Sequence, residues 1–142
     1  MAKFDEYLKK VGITPALKTR VELARRVASR MCPEEIEDIL VNEYVQDDGT
    51  RVYESIWFFS KGYCIEAHNF ITESSIDIVP IRIKRVQVDF KDYSFVKATE
   101  KSRLRVLVLF GEGLEAEIKA AKENCDVLRD IILKYFRPRL TE

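Results

Sequence analysis

The sequence predicts an α+β protein: two helices, an antiparallel six- to seven-stranded curled sheet or partly open barrel, and a C-terminal helix that caps it. Three observations carry this. Apolar residues recur at helical spacing to about residue 40, at two-residue spacing from 41 to about 120, and at helical spacing again from about 121 to 136. Consecutive strands joined by short turns favour an antiparallel meander over parallel βαβ units. A chain of 142 residues, 46% of them hydrophobic, is long and apolar enough for one core.

The elements follow in order. Phe4, Leu8 and Val11 mark a first helix that stops at Gly12. Thr14-Pro15 supplies an N-cap and a first-turn proline for a helix from about 15 to 31, with Leu17, Val21, Ala24, Ala28 and Met31 as its apolar stripe. Pro33 with Glu34 and Glu35 then reads as the start of a short helix to about Leu40. Val41–Val45 leads into Asp47-Asp48-Gly49-Thr50, a hairpin turn, and residues 51–60 return as a long strand. Lys61-Gly62 turns the chain into a strand from 63 to 71, and Thr72-Glu73-Ser74-Ser75 forms the next turn.

The segment 76–90 carries an irregularity. Ile81 and Ile83 are odd-numbered, whereas Val86, Val88 and Phe90 are even, so one extra residue near Lys84-Arg85 implies a β-bulge or a strand break. Pro80, which has no N–H, belongs at an edge or a break. Two short strands, or one sharply bent strand, are expected. After a polar link at 91–101, Leu104, Val106, Val108 and Phe110 alternate along a strand, Gly111-Glu112-Gly113 turns, and Leu114, Ala116 and Ile118 return. Ala121, Cys125, Leu128, Ile132 and Tyr135 form the stripe of the last helix, with Pro138 beyond its end.

Composition removes several functions. Twenty-four basic and 24 acidic side chains cancel, which argues against a general polyanion binder. No apolar run approaches the ~18–20 residues of a membrane span, and MAKFDEYLKK lacks the apolar stretch of a signal peptide, so a cytoplasmic protein without a transmembrane segment is expected. Cys32, Cys64 and Cys125 are scattered and odd in number, as free thiols are, and with one histidine they make no zinc pattern. On a shared strand Cys64 and His68 would lie roughly 13 Å apart, beyond hydrogen-bond reach, so no Cys–His catalytic pair is expected. Neither a metal site nor a cofactor site is read, and no residue is read as catalytic.

The neutrality is uneven along the chain. Residues 1–31 carry eight basic and three acidic groups, a net of +5, and residues 32–58 carry one and eight, a net of −7. Attraction between these segments, or plain solvation, explains the pattern without a partner.

The segment from about 38 to 136 resembles a pleckstrin-homology-like domain, particularly the bacterial type. The resemblance rests on QDDGTR in the first hairpin, SIWFFSKGYCIEAHNF, IDIVPIRIKRVQV, and RLRVLVLFGEGLEAEI followed by a helix. It implies a domain spanning 38–142 behind a helical extension at 1–37. Many eukaryotic members of that superfold bind phosphoinositides near the first hairpin. Here Asp47 and Asp48 stand in that loop and would repel the headgroup, so phosphoinositide is not the expected ligand. Bacterial relatives commonly assemble, so a homo-oligomer is expected by resemblance.

The function expected is therefore non-enzymatic: an interaction or scaffolding domain for protein partners or self-association. The alternative is binding of nucleic acid or an anionic membrane. Candidate anion- or partner-binding residues are Arg25 and Arg26 on the second helix, the cluster Arg82, Lys84 and Arg85, and the pair Arg103 and Arg105. The strand residues are weighed as one shared basic patch against an ordinary solvated face. Tyr53, Trp57, Phe59 and Tyr63 are weighed as a base-stacking platform against core packing.

Overall fold

Thr14 and Pro15 begin the longest helix as their chemistry requires. The Thr14 hydroxyl accepts the Leu17 N–H at 3.3 Å, and Pro15 occupies the first turn, where no N–H is needed. In the computed structural model, which describes residues 2–69 and 75–140, this helix is α2 (Pro15–Met31), and it follows α1 (Asp5–Lys10). The strands are β1 (Asp38–Val45), β2 (Arg51–Phe59), β3 (Tyr63–His68), β4 (Ser75–Pro80), β5 (Ile83–Lys91), β6 (Arg103–Phe110) and β7 (Glu115–Ala121), and α3 (Asn124–Ile131) follows the last of them. The protein is α+β, with seven described strands in two antiparallel sheets of order β1-β2-β3-β4 and β5-β6-β7. The sheets do not close into the expected partly open barrel. The expected turn at 72–75 lies outside the described residues except for Ser75.

The change of sheet falls at the predicted irregularity. β4 ends on Pro80, which cannot donate to a ladder, and β4 is the edge strand of its sheet. Past the break, Ile83 pairs with Phe110 and Arg85 with Leu109, so Lys84 is the extra residue of a bulge. Break and bulge both occur, one after the other. This places Ile81 and Ile83, each 5% exposed, on the buried side before the parity switches to Val86 and Val88.

The chain groups into two compact units. One comprises Met1–Val41 and Glu54–Pro80. Its core includes Leu8, Val11, Val21, Ala24, Ala28, Leu40, Ile56, Phe58 and Ile65, and α2 packs against β4. The α2 stripe holds at Val21, Ala24 and Ala28, but Met31 at its end is 66% exposed. The short helix expected at 33–40 does not form. Tertiary partners take its groups: the Glu37 N–H donates to the Phe59 carbonyl at 2.7 Å, Ile36 is buried, and β1 starts at Asp38. Glu34, the intended first-turn acid, instead accepts from the Ser60 hydroxyl at 2.8 Å and the Gly62 N–H at 2.7 Å.

The other unit comprises Asn42–Tyr53 and Ile81–Glu142. Asn42 reads the backbone of β7, accepting the Lys119 N–H at 2.8 Å and donating to the Glu117 carbonyl at 3.3 Å. That joins the hairpin end to the three-stranded sheet through a side chain where no ladder runs. α3 packs on β6 and β7 with Cys125 and Leu128 inward. The expected helix from 121 instead starts after Lys122, a left-handed residue at φ 55°, because β7 continues to Ala121. From Ile132 to Phe136 it widens into a π-turn, which carries Ile131, Ile132, Tyr135 and Phe136 all into the core.

Glu34 stitches a loop to the β2–β3 turn through charge-assisted bonds, and this is testable. Glu34→Ala removes the nearer of two acceptors of the buried Ser60 hydroxyl, leaving the Tyr63 carbonyl at 3.3 Å, and also takes the acceptor from the Gly62 N–H; it destabilises the protein by about 1–3 kcal/mol. Urea unfolding followed by tryptophan fluorescence at Trp57 measures it, and an unchanged midpoint would show that the contact contributes nothing.

Candidate functional site

Phe90, Leu104 and Ala120 stand directly opposite one another across β5, β6 and β7. They share the inward face, yet Leu104 is 1% exposed and Phe90 60%. The reason is position: β5 is an edge strand, and nothing among the described residues covers the Phe90 ring fully. With Tyr44 from β1, these residues line a groove of about 250 Å³, with Lys91, Arg103 and Lys119 among its polar margin. The Lys119 ammonium stands 4.9 Å from the Tyr44 ring centroid, a cation–π contact.

The aromatic surface continues into the loop after β5. Phe95 meets Phe90 edge-on at 5.6 Å and Tyr93 at 5.2 Å, and Val96 is the most exposed of the large apolar residues at 76%. This loop is held, not loose. The Tyr93 hydroxyl donates to Asp126 at 2.9 Å, the Ala98 N–H donates to the same carboxylate at 3.0 Å, and Arg129 donates to the Val96 carbonyl at 2.8 Å. Phe95 is fixed at φ 65°, a left-handed conformation that costs an aromatic residue about 1–2 kcal/mol. Such strain persists only where surrounding contacts over-determine it, and here they present apolar groups to solvent.

Beside the groove lies a buried carboxylate that the sequence reading passed over. Two-residue alternation in β1 puts Glu43 on the face of Val41, and its side chain is fully buried. One oxygen lies 3.2 Å from the Arg51 Nε, and the other accepts from Asn124 at 2.8 Å. Arg51 also holds Glu123 at 2.7 Å, so two carboxylates face one guanidinium. Burial raises the Glu43 pKa to about 7, against the lowering pull of Arg51 and Asn124. With Glu43 protonated, Arg51 and Glu123 balance each other.

The predicted basic residues do not form one patch. Arg105, central in its sheet, donates to Asp89 at 2.8 Å and to Glu117 at 2.6 Å, and these carboxylates hold its charge as a pair of clamps. Arg103 donates to the carbonyls of Ser102 and Glu100 at 2.7 and 3.2 Å. Arg85 is opposite Leu109, six residues along β6 from Arg103, which is roughly 20 Å. Arg85 instead borders a small hollow of about 50 Å³ with Glu115. Arg82 and Lys84 line a separate cleft, and Arg25 and Arg26 are on α2, with Arg26 exposed and the Arg25 Nε buried without a hydrogen bond.

Comparison with family models, curated proteins and solved structures gives no match.

The other candidates resolve simply. Trp57 and Phe59 stack at 6.1 Å inside the core, 3% and 0% exposed, so they offer no base-stacking platform. Cys64 is buried, donates toward the Val79 carbonyl at 3.7 Å, and has its thiol pushed up to about 12 by desolvation. His68 is engaged elsewhere, 2.7 Å from Asp77 and 3.3 Å from Glu66. Among the described residues no group of three or more His, Cys, Asp or Glu is placed to hold a metal ion. Among the described residues no helix is long and apolar enough to cross a membrane.

Glu43 gives a pH prediction. Its folded pKa is raised, so the fold favours the protonated form; stability is full below the unfolded value of 4.5 and falls as pH rises through about 7. Relative to Glu43→Gln, the native protein should lose on the order of 3 kcal/mol across that window. Urea unfolding of both at a series of pH values reads the difference, and parallel curves would mean that Glu43 stays ionised beside Arg51.

Proposed function

We propose that the chain is a non-enzymatic interaction domain of pleckstrin-homology-like fold, which joins proteins, copies of itself included, through the aromatic mouth of the Tyr44–Phe90 groove. Support for the fold comes from the division of seven strands into four and three, followed by a helix packed on the last two strands. The observation that carries the function is Phe90. A large aromatic ring, 60% exposed, lies on the inward face of its sheet next to a groove with an apolar floor and a charged margin of both signs. Apolar centres rimmed by polar groups are the usual anatomy of protein contacts. The strained, anchored loop that adds Phe95 and Val96 gives the contact a rigid surface, which lowers the ordering cost of binding.

A second reading keeps α2 as a nucleic-acid or anionic-membrane contact, because Arg26 and Arg30 are exposed on it. Retention on heparin that weakens steeply with salt would favour it. The first reading expects elution at the same salt as a protein of equal net charge.

The direct test is sedimentation of the full chain over a range of concentrations, beside Phe90→Glu. The native chain is expected to associate, and the substituted chain to associate on the order of thirty-fold more weakly, as for a central aromatic contact. A native chain that stays monomeric at the highest concentration would remove self-assembly from the reading. Cross-linking to a partner that is lost in Phe90→Glu would leave protein docking as its remaining form.

A further inference from the structure

The residues between β4 and β5, within the second unit, help to line a cleft of about 470 Å³, with Ile81, Arg82, Ile83, Lys84, Gly111, Pro138 and Arg139 around it. Among the described residues that line it, three are cationic and none is acidic. Three separate chain segments meet here, and the backbone fixes them to one another. The Gly111 N–H donates to the Arg82 carbonyl at 3.3 Å, and Leu140 bridges Ile83 in parallel. Arg82 and Lys84 flank Ile83, whose side chain is buried, so both polar residues point the opposite way, toward solvent. Lys84 is moreover the extra residue of the bulge, with no partner in the cross-strand register among the described residues. A Cβ added to Gly111 would meet nothing within 4 Å, so the turn leaves open space beside the cations.

We propose that this cleft binds a phosphate group carried on a small organic molecule or a lipid head. Its three cations come from two backbone-tethered segments, Arg82 and Lys84 from one and Arg139 from the other, and Pro138 with the edges of Ile81 and Ile83 supplies an apolar wall for the carbon part of the ligand. A dianion suits such a site. Arginine offers paired donors to phosphate oxygens, and lysine adds a compact charge. The site is separate from the Tyr44–Phe90 groove, shares none of its residues, and does not depend on the protein-docking reading.

The test uses the full chain, isotopically labelled, titrated with inorganic pyrophosphate at low salt and followed by amide chemical shifts. Saturable shifts are expected at Arg82–Lys84, Gly111 and Arg139, with affinity that falls as salt rises. Arg82→Gln and Arg139→Gln should each weaken binding on the order of tenfold, while Arg26→Gln on α2 leaves it unchanged. Thermal melts confirm that the variants, altered at the surface, remain folded. A parallel arm adds phosphatidylcholine vesicles doped with phosphatidic acid. Vesicle binding that pyrophosphate competes away assigns the phosphate to a lipid head, and pyrophosphate binding without vesicle binding assigns it to a free small molecule. Shifts spread evenly over basic residues, no saturation, or an affinity indifferent to the two arginine substitutions would overturn the proposal. So would vesicle or nucleic-acid binding that pyrophosphate does not displace.

Discussion

A carboxylate without access to water must acquire donors or a proton, and in this protein that requirement fixes the end of the first hairpin. Glu43 takes a hydrogen bond from Asn124 at the start of α3 and lies beside Arg51 across the hairpin, while Arg51 reaches Glu123 and the Ala121 carbonyl. Next to it, Asn42 imitates a strand by bonding a carbonyl and an N–H of β7. β1, β2, β7 and α3 thus meet through five polar side chains, Asn42, Glu43, Arg51, Glu123 and Asn124. An apolar hairpin could bury as much area and still slide by two residues, whereas these hydrogen bonds and ion pairs can be made together in one register only. The cost is a buried charge cluster, and protonation of Glu43 lowers that cost.

The position of this cluster explains why the neighbouring groove stays open. The inward row Phe90–Leu104–Ala120 would ordinarily be covered by an apolar strand, but β1 presents Glu43 and Tyr44 there. Polar residues that secure a register leave apolar ones at the sheet edge short of partners. The 92–102 loop extends this surface, and its anchors to Asp126 and Arg129 come from α3, the same helix whose first residue holds Glu43.

Periodicity made much of this fold legible. The parity change between Ile83 and Val86 encodes the bulge directly, because one added residue inverts every later side chain. The stripe Cys125–Leu128–Ile132–Tyr135 encodes the closing helix in the same way. Local signals failed where distant groups competed for the same atoms. Pro33-Glu34-Glu35 carries a sound helix-start pattern, yet Ser60 and Gly62, some 26 and 28 residues away, bind the Glu34 carboxylate more usefully than a first turn would. The exposure of Phe90 is not legible in the sequence, because alternation reports which face a residue takes and says nothing of whether that face is covered at an edge. Glu43 had a signal of its own, a charge at an inward parity, although its partners Arg51 and Asn124 are visible only once β7 and α3 are placed.

The same distinction sorts the basic residues. Inside a regular ladder, an arginine acquires neighbours from the strands on either side, and Arg105, central in its sheet, meets Asp89 opposite and Glu117 on the diagonal. Cross-strand pairing of this kind consumes charge in support of the sheet. A residue at a break or in a bulge has no opposite number, so its charge is left for solvent or for a ligand. Counting cations along β5 and β6 therefore misleads, since Arg82 and Arg105 look alike in the sequence. Register separates them: the ladder absorbs Arg105, and the irregularity that Pro80 and Lys84 create sets Arg82 and Lys84 beside Arg139, which arrives from the far end of the chain.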